Sequence, residues 1–457
     1  MTVRTRFAAL ALACAAIAPV ASAQSPCPSR LFVSGYFSTV HVFDACNGAY
    51  LRDLDARTRL RGAQAVRLGP DRRIHVVAEG TGTIHRYRND TLAWDGVFAT
   101  TPAGAGPTAI DFDGAGRAWV AAFNTDSVRR YDTDGRFIDV PLPPSVVING
   151  PDNGMRFAAG SLWIPAFYAN SLVRHDPATG ATSVAILPQA AGLIRTRGIL
   201  PTADATGLFV TAEGSGKLLR HEVATGTTVQ IGGAFGAPTG IAYAPDGMLL
   251  VVDAGAVVRV HPVSGEKLGT LVPAGAGGVD GPTFIAVVPI PDVPEGTAEA
   301  VEYHHAGLDH YFLSLIPGEI AALDAGTLPG WTRTGLTFRG WAVPGPGTSP
   351  VCRFYLPPAA GNSHFFSADP AECARLRDAH PDFVPEGEPF HIALPDPVTG
   401  ACPAATAPVY RFWNARAGDT NHRYTTSLQV AREMTSLGHV AEGYGPGPDF
   451  PIMCEVR

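Results

Sequence analysis

Three acidic side chains stand at one place in a recurring pattern: Glu79 in Ala78-Glu79-Gly80, Glu213 in Ala212-Glu213-Gly214, and Asp253 similarly placed in a later copy. Oxygen ligands that converge from such copies on a common channel could hold Ca²⁺ or a cationic group. The same residues read equally as loop side chains that satisfy backbone N–H groups. A second set is His310, His364 and His422, in His310-Tyr311-Phe312, His364-Phe365-Phe366 and His422-Arg423-Tyr424. Three imidazoles brought to one axis would form a metal site. Placed beside Tyr311, Phe365 and Tyr424, they would instead form three equivalent glycan pockets. A side chain repeated in every third of a domain also serves as a packing or strand-tying residue, and that reading is favoured. Ser34-Gly35 and Ser215-Gly216 lack the G-x-S-x-G strand–turn–helix setting, so a nucleophilic triad is not supported.

The elements that position the acidic set are legible in Leu162–Gly180, LWIPAFYANSLVRHDPATG, an apolar strand, a loop, a second strand and a tight Asp-Pro-Ala-Thr-Gly turn. The unit recurs with first-strand cores at Leu31–Val33, Ile74–Val76, Ala118–Val120, Leu162–Ile164, Leu208–Val210 and Leu249–Val251, spaced by 43, 44, 44, 46 and 41 residues. A period of about 40–45 residues with several strands per unit specifies propeller blades. Inner strands are expected at Ala65–Leu68, Pro107–Phe112, Asn153–Phe157, Gly198–Leu200 and Pro238–Tyr243. The first copy has none before it, and Gly281–Val287 after the sixth copy is expected to supply it and close the ring. The recurring partner-strand residues Arg86, Arg130, Arg174 and Arg220, with His175, His221 and His261, read as hydrogen-bonding residues between neighbouring blades.

The P-T-x-I-x-x-x-x-x-G-x-x-W-V pattern of Pro107–Val120 resembles six-bladed propellers of the NHL-repeat, streptogramin-lyase-like and gluconolactonase-like type. In gluconolactonase-like propellers a divalent metal at the channel mouth is held by Glu, Asn and Asp. That resemblance implies Asn153 as one ligand; the recurring Glu79, Glu213 and Asp253 are the further candidates for Ca²⁺ or Zn²⁺, and Asn153, Glu213 and Asp253 are the catalytic candidates. The pattern departs from the family where Gln64 stands in place of an acid and where the fifth blade begins Arg195-Thr196-Arg197-Gly198. Asp152 and Asn153 then read as a turn pair that caps a strand.

Pro289–Gly296 is a proline-rich, acidic linker. Beyond it the His-aromatic unit recurs three times, each copy with an aromatic strand before it, a short helix after it and a return to extended structure at Trp331–Phe338, Phe383–Phe390 and His439–Tyr444. This half resembles a three-repeat C-terminal domain of unknown function found in many exported bacterial proteins, which implies an accessory role.

Met1–Ala23 carries Arg4 and Arg6, an apolar run and Ala21-Ser22-Ala23, which predicts a cleaved signal peptide and a secreted or periplasmic protein. Of seven cysteines six then remain, and their grouping pairs Cys27 with Cys46, Cys352 with Cys373 and Cys402 with Cys454. A net charge of −7 with scattered basic residues excludes a nucleic-acid partner, and no later apolar run reaches the ~18 residues of a membrane span. The expected architecture is a signal peptide (1–23), an all-β six-bladed propeller (24–290), a linker (291–297) and a smaller pseudo-threefold, trefoil-like β-rich domain with short helices (298–457). The expected function is that of a monomeric, non-catalytic binding protein, needing no cofactor, for an extracellular protein, glycan or cell-surface polymer. The alternative is a metal-dependent lactonase or lyase at the channel mouth.

Overall fold

The computed structural model describes residues 27–445, 447 and 449–457, and the expected signal peptide lies outside the described residues. Six four-stranded antiparallel sheets form the propeller. Each first-strand core is a run of β-branched, aromatic or small apolar residues, and each is fully buried because sheets pack against it from both sides. The ring closes as the sequence expects: Pro282–Pro289 pairs antiparallel with Ser29–Gly35, Phe32 opposite Ala286, and becomes the inner strand of blade one. Cys27 and Cys46, with Cα atoms 5.8 Å apart, join the start of that blade to its second turn.

The recurring Pro-Thr pairs have a shared task. The hydroxyl of Thr108 donates to Pro151 O at 2.8 Å, that of Thr239 to Pro282 O at 3.3 Å and that of Thr283 to Ala63 O at 3.4 Å. Each ties its inner strand to the next blade's. Proline's missing N–H is no loss at the first residue of such a strand.

Two expectations are corrected. The fourth inner strand spans only Arg156–Ala158, because Asp152-Asn153-Gly154 leaves the ladder after a single bridge between Pro151 and Ala166. The Asp152 carboxylate there accepts from Asn153 N at 2.7 Å and turns the chain inward. The recurring Arg and His residues bond within their own blades: Arg130 to Asp139, Arg174 to Ser161, His175 to Thr182 and His221 to Thr228. These histidines meet the neighbouring blade through their rings, Trp119 against His175 and Trp163 against His221, both at 5.8 Å between ring centroids.

The C-terminal domain repeats one unit three times, a long strand, a hairpin partner, a helix and a returning strand. Its helices are Pro317–Asp324, Pro370–Ala379 and Leu428–Ser436. Asp369 and Ser427 cap the second and third. The returning strand is continuous over Trp331–Trp341, but splits into Val384–Pro385 with Phe390–Ala393, and Val440–Ala441 with Met453–Val456. Gly387 at φ +86° and Pro389 break the second copy. The second and third disulfides join Cys352 to Cys373 and Cys402 to Cys454.

The two halves meet at blade two. Glu455, fully buried, accepts from Arg73 at 2.8 Å and from Arg88 at 2.6 Å. Asp95 holds the other side of Arg73 at 2.9 Å. Burial opposes charge on both arginines, yet these carboxylates hold them above their ordinary value. Beside them Trp94 packs against Leu336, Tyr410, Phe412 and Val430. No helix among the described residues is long and apolar enough to cross a membrane.

Candidate functional site

The first residues of the inner strands surround a mouth cavity of about 390 Å³, lined by Tyr36, Phe37 and Phe123 and by Glu79, Asp152, Glu213 and Arg197. Inner strands can crowd this closely because the ring uses glycine where blades touch. A Cβ on Gly198 would lie 2.5 Å from Thr239 O and 2.9 Å from the Ile241 side chain.

Arg197 is the hub. Its Nε lies 2.7 Å from Glu213 Oε2 and its Nη1 2.9 Å from Asp152 Oδ2, while its Cζ stacks 4.6 Å from the Phe167 ring. Burial disfavours its charge, but Asp152 and Glu213 outweigh that and raise its pKa. Asp152 is fully enclosed, and burial raises its carboxyl despite the arginine. Glu79 is likewise raised, by burial first, and the hydrogen bond from Gln64 Nε2 at 2.7 Å opposes this. Gln64 Oε1 in turn accepts from Asn153 Nδ2 at 3.1 Å, and the same amide donates to Thr283 O at 3.1 Å. The mouth thus holds three carboxylates against one guanidinium in a network of fixed partners.

Of the acidic candidates, Glu79 and Glu213 both reach the cavity. Asp253 does not line it: its Oδ1 accepts from the amides of Gly236 and Ala237 at 2.6 and 3.0 Å, and its Oδ2 meets Lys267 at 2.7 Å. Asn153 lies beneath the mouth, fully buried, with its Oδ1 unpartnered. The place between Asp152 and Glu213 that a divalent ion would take is occupied by the Arg197 guanidinium. Among the described residues, the one set of three His, Cys, Asp or Glu side chains with donor atoms within 4.8 Å of each other is Cys27, Asp44 and Cys46, two of which form a disulfide. Sequence reasoning passed over Arg197, although its signal was present: it stands where the resemblance leads one to expect Pro-Asp-Gly.

In the second half the three histidines take separate carboxylates. His310 meets Asp419 at 2.9 Å, His364 meets Glu386 at 3.2 Å and His422 meets Glu442 at 3.3 Å. The rings also join neighbouring repeats, His364 against Phe312 at 4.8 Å and His422 against Phe365 at 4.9 Å. Tyr311 lies under the Arg423 guanidinium at 4.0 Å, and Tyr424 Oη donates to Phe366 O at 2.8 Å. Between them Tyr311, His422 and Tyr424 line a space of about 10 Å³, no more than one water needs. Burial, then Arg353, pushes the His364 imidazole down to about 4.

The arginines bind the repeats together. Arg353 of the second repeat grips Glu319 of the first helix at 2.9 and 3.0 Å, and Arg411 of the third grips Glu372 of the second helix at 2.8 and 2.9 Å.

A family model described as a domain of unknown function (DUF5648) matches residues 303–446. Among solved structures, the chain is similar to virginiamycin B lyase from Staphylococcus aureus, at 16% identity over 49% of this chain and 73% of that one, with a TM-score of 0.40. It is also similar to a chain of a nidogen/laminin complex, at 12% identity over 58% and 100%, TM-score 0.49. A streptogramin B lyase is similar at 15% identity over 60% and 77%, TM-score 0.39. No curated protein sequence matches the chain.

Proposed function

We propose that the chain is an exported recognition protein that binds a cationic, partly apolar group at the propeller mouth without turning it over, while its C-terminal domain engages an extracellular protein, glycan or cell-surface polymer. One observation carries the first part: three carboxylates surround a single guanidinium beside Tyr36, Phe37 and Phe123. Arg197 already answers Asp152 and Glu213. Glu79 has only the neutral Gln64 as a side-chain hydrogen-bond partner, and so is the anion left to a ligand. An ammonium beside Glu79 would gain ion pairing and, over the aromatic faces, cation–π attraction of about 0.5–2 kcal/mol. Binding without turnover is supported by the ion pairs that already engage Asp152, Glu213 and Asp253. Three disulfides are compatible with an extracellular location.

The unpartnered, buried Oδ1 of Asn153 favours the second reading, a metal-dependent lactonase or lyase using Asn153, Glu213 and Asp253. That reading requires Glu213 to leave Arg197 and Asp253 to leave Lys267.

Calorimetric titration with benzylamine, and with benzyl alcohol as its uncharged match, tests the first reading. Benzylamine should bind about tenfold more tightly, and Glu79→Gln should remove the difference. Equal affinities overturn it. Metal content after dialysis against calcium and zinc separates the two readings: about one ion per chain, lost in Asn153→Ala, establishes the metal site.

A further inference from the structure

The opposite end of the propeller channel is a second cavity, of about 290 Å³, with a different chemistry. Its walls are mixed: Leu200, Ile241, Ile285 and Val287 are among the apolar residues, and its charged residues are Arg67, Arg156 and Asp111. Arg67 is only 8% exposed, yet its Nε has no hydrogen-bond partner. Asp111 Oδ1 stands 3.8 Å away, beyond bonding distance, and the other Asp111 oxygen already accepts from Phe157 N at 2.6 Å. What remains to Arg67 is a long bond from Nη2 to Met155 O at 3.4 Å and the face of Phe284, 4.8 Å from Cζ. Arg156 has no carboxylate within 4.0 Å among the described residues. Two cations thus face one anion. A buried guanidinium left without full pairing is destabilised, and burial, then repulsion from Arg156, pushes Arg67 down to about 9.

We infer that this end of the channel binds a small amphipathic monoanion, a carboxylate on a short aliphatic body, with its head group between Arg67 and Arg156 and its tail against Leu200, Ile241 and Ile285. One negative charge balances the set, and both guanidiniums line the cavity in which the head group would sit. The volume equals about ten waters at roughly 30 Å³ each, enough for a chain of about that many heavy atoms. Arg67 lies three residues along the strand from Gln64 at the mouth, roughly 10 Å at 3.3 Å per residue, so this site is separate from the one proposed above.

Calorimetry of the full chain with octanoate, and with octan-1-ol as the uncharged match, tests the inference. Octanoate should bind about one per chain, octanol about tenfold more weakly, and Arg156→Gln should lower octanoate affinity about tenfold without shifting thermal unfolding. Arg156 is partly exposed and holds no ion pair, so the variant folds on the same contacts. No octanoate binding up to about 10 mM, equal binding of octanol, or an unchanged Arg156→Gln affinity overturns it. Benzylamine binding should be the same in Arg156→Gln and wild type, so failure at one end is distinguishable from failure at the other.

Discussion

Arg423 and Glu302 form a bidentate pair, Nε to Oε1 at 2.9 Å and Nη2 to Oε2 at 3.1 Å, across 121 residues of sequence. Glu302 stands where the other repeats place Arg353 and Arg411, and Arg423 where they place Phe312 and Phe365. The third repeat therefore meets the first with its charges reversed. Both side chains are buried, so neither Glu302→Ala nor Arg423→Ala leaves its partner solvated. Each should cost about 3–5 kcal/mol in denaturant unfolding. The double swap Glu302→Arg with Arg423→Glu should recover at least half of that. A swap no better than the single changes would show that the pair contributes little.

Glu455 carries the junction between the halves. Glu455→Gln leaves Arg73 and Arg88 short of their shared counter-charge, and a loss of about 3–5 kcal/mol is expected. In scanning calorimetry the propeller and C-terminal transitions should separate, whereas a single unshifted transition would remove this role from the ion pairs.

His364 gives stability a pH dependence. Its pKa in the fold is about 4, below the ~6.5 of the unfolded chain, so between these values the unfolded state binds more protons. Stability is complete above pH ~6.5 and falls as pH drops toward 4, by at most about 3 kcal/mol from this residue. Glu386 at 3.2 Å works against the shift, so the measured loss should be smaller. His364→Phe should flatten that part of the pH profile of unfolding, and an unchanged slope would assign the loss to other groups.

Gly198 sets how closely blades five and six approach. Gly198→Ala forces a Cβ against Thr239 O and the Ile241 side chain, and the overpacking should cost about 1–3 kcal/mol. Gly233, where an added Cβ would meet nothing within 4 Å, is the control. Equal stabilities for Gly198→Ala and Gly233→Ala would refute the close-packing argument.

Cys27 and Cys46 are separated by 19 positions in sequence at the ring closure. Replacing both by Ala should lower stability by about 3 kcal/mol through the freed unfolded chain. Reducing agent should lower the wild type's unfolding midpoint and leave the midpoint of a variant lacking all three bridges unchanged.

Much of the propeller was legible because its first strands are buried on both faces and so read as unbroken apolar runs. The outer strands were not: all four residues of Tyr50–Asp53 are exposed, and no burial imposes a pattern on them. Met453–Val456 is short and its partners are distant in sequence, Thr406–Val409 and Ala393. At the mouth, Glu79 and Glu213 were legible from their recurrence. Arg197 was not, since it occurs once and the motif it interrupts drew attention to the missing acid.

By itself, then, the sequence determined the repeat, the number of blades, the strand that closes the ring and the grouping of the cysteines, because period and apolar alternation are local properties of the chain. Tertiary structure alone decided which charges meet. Arg197 meets Asp152 of the preceding blade and Glu213 beyond the next strand of its own, Glu455 enters blade two from the far end of the chain, and Arg67 faces Asp111 without bonding it. Such pairings depend on separations of a few ångströms between residues tens to hundreds of positions apart. Coulomb energies in a buried site change steeply over those distances, and no local pattern encodes them.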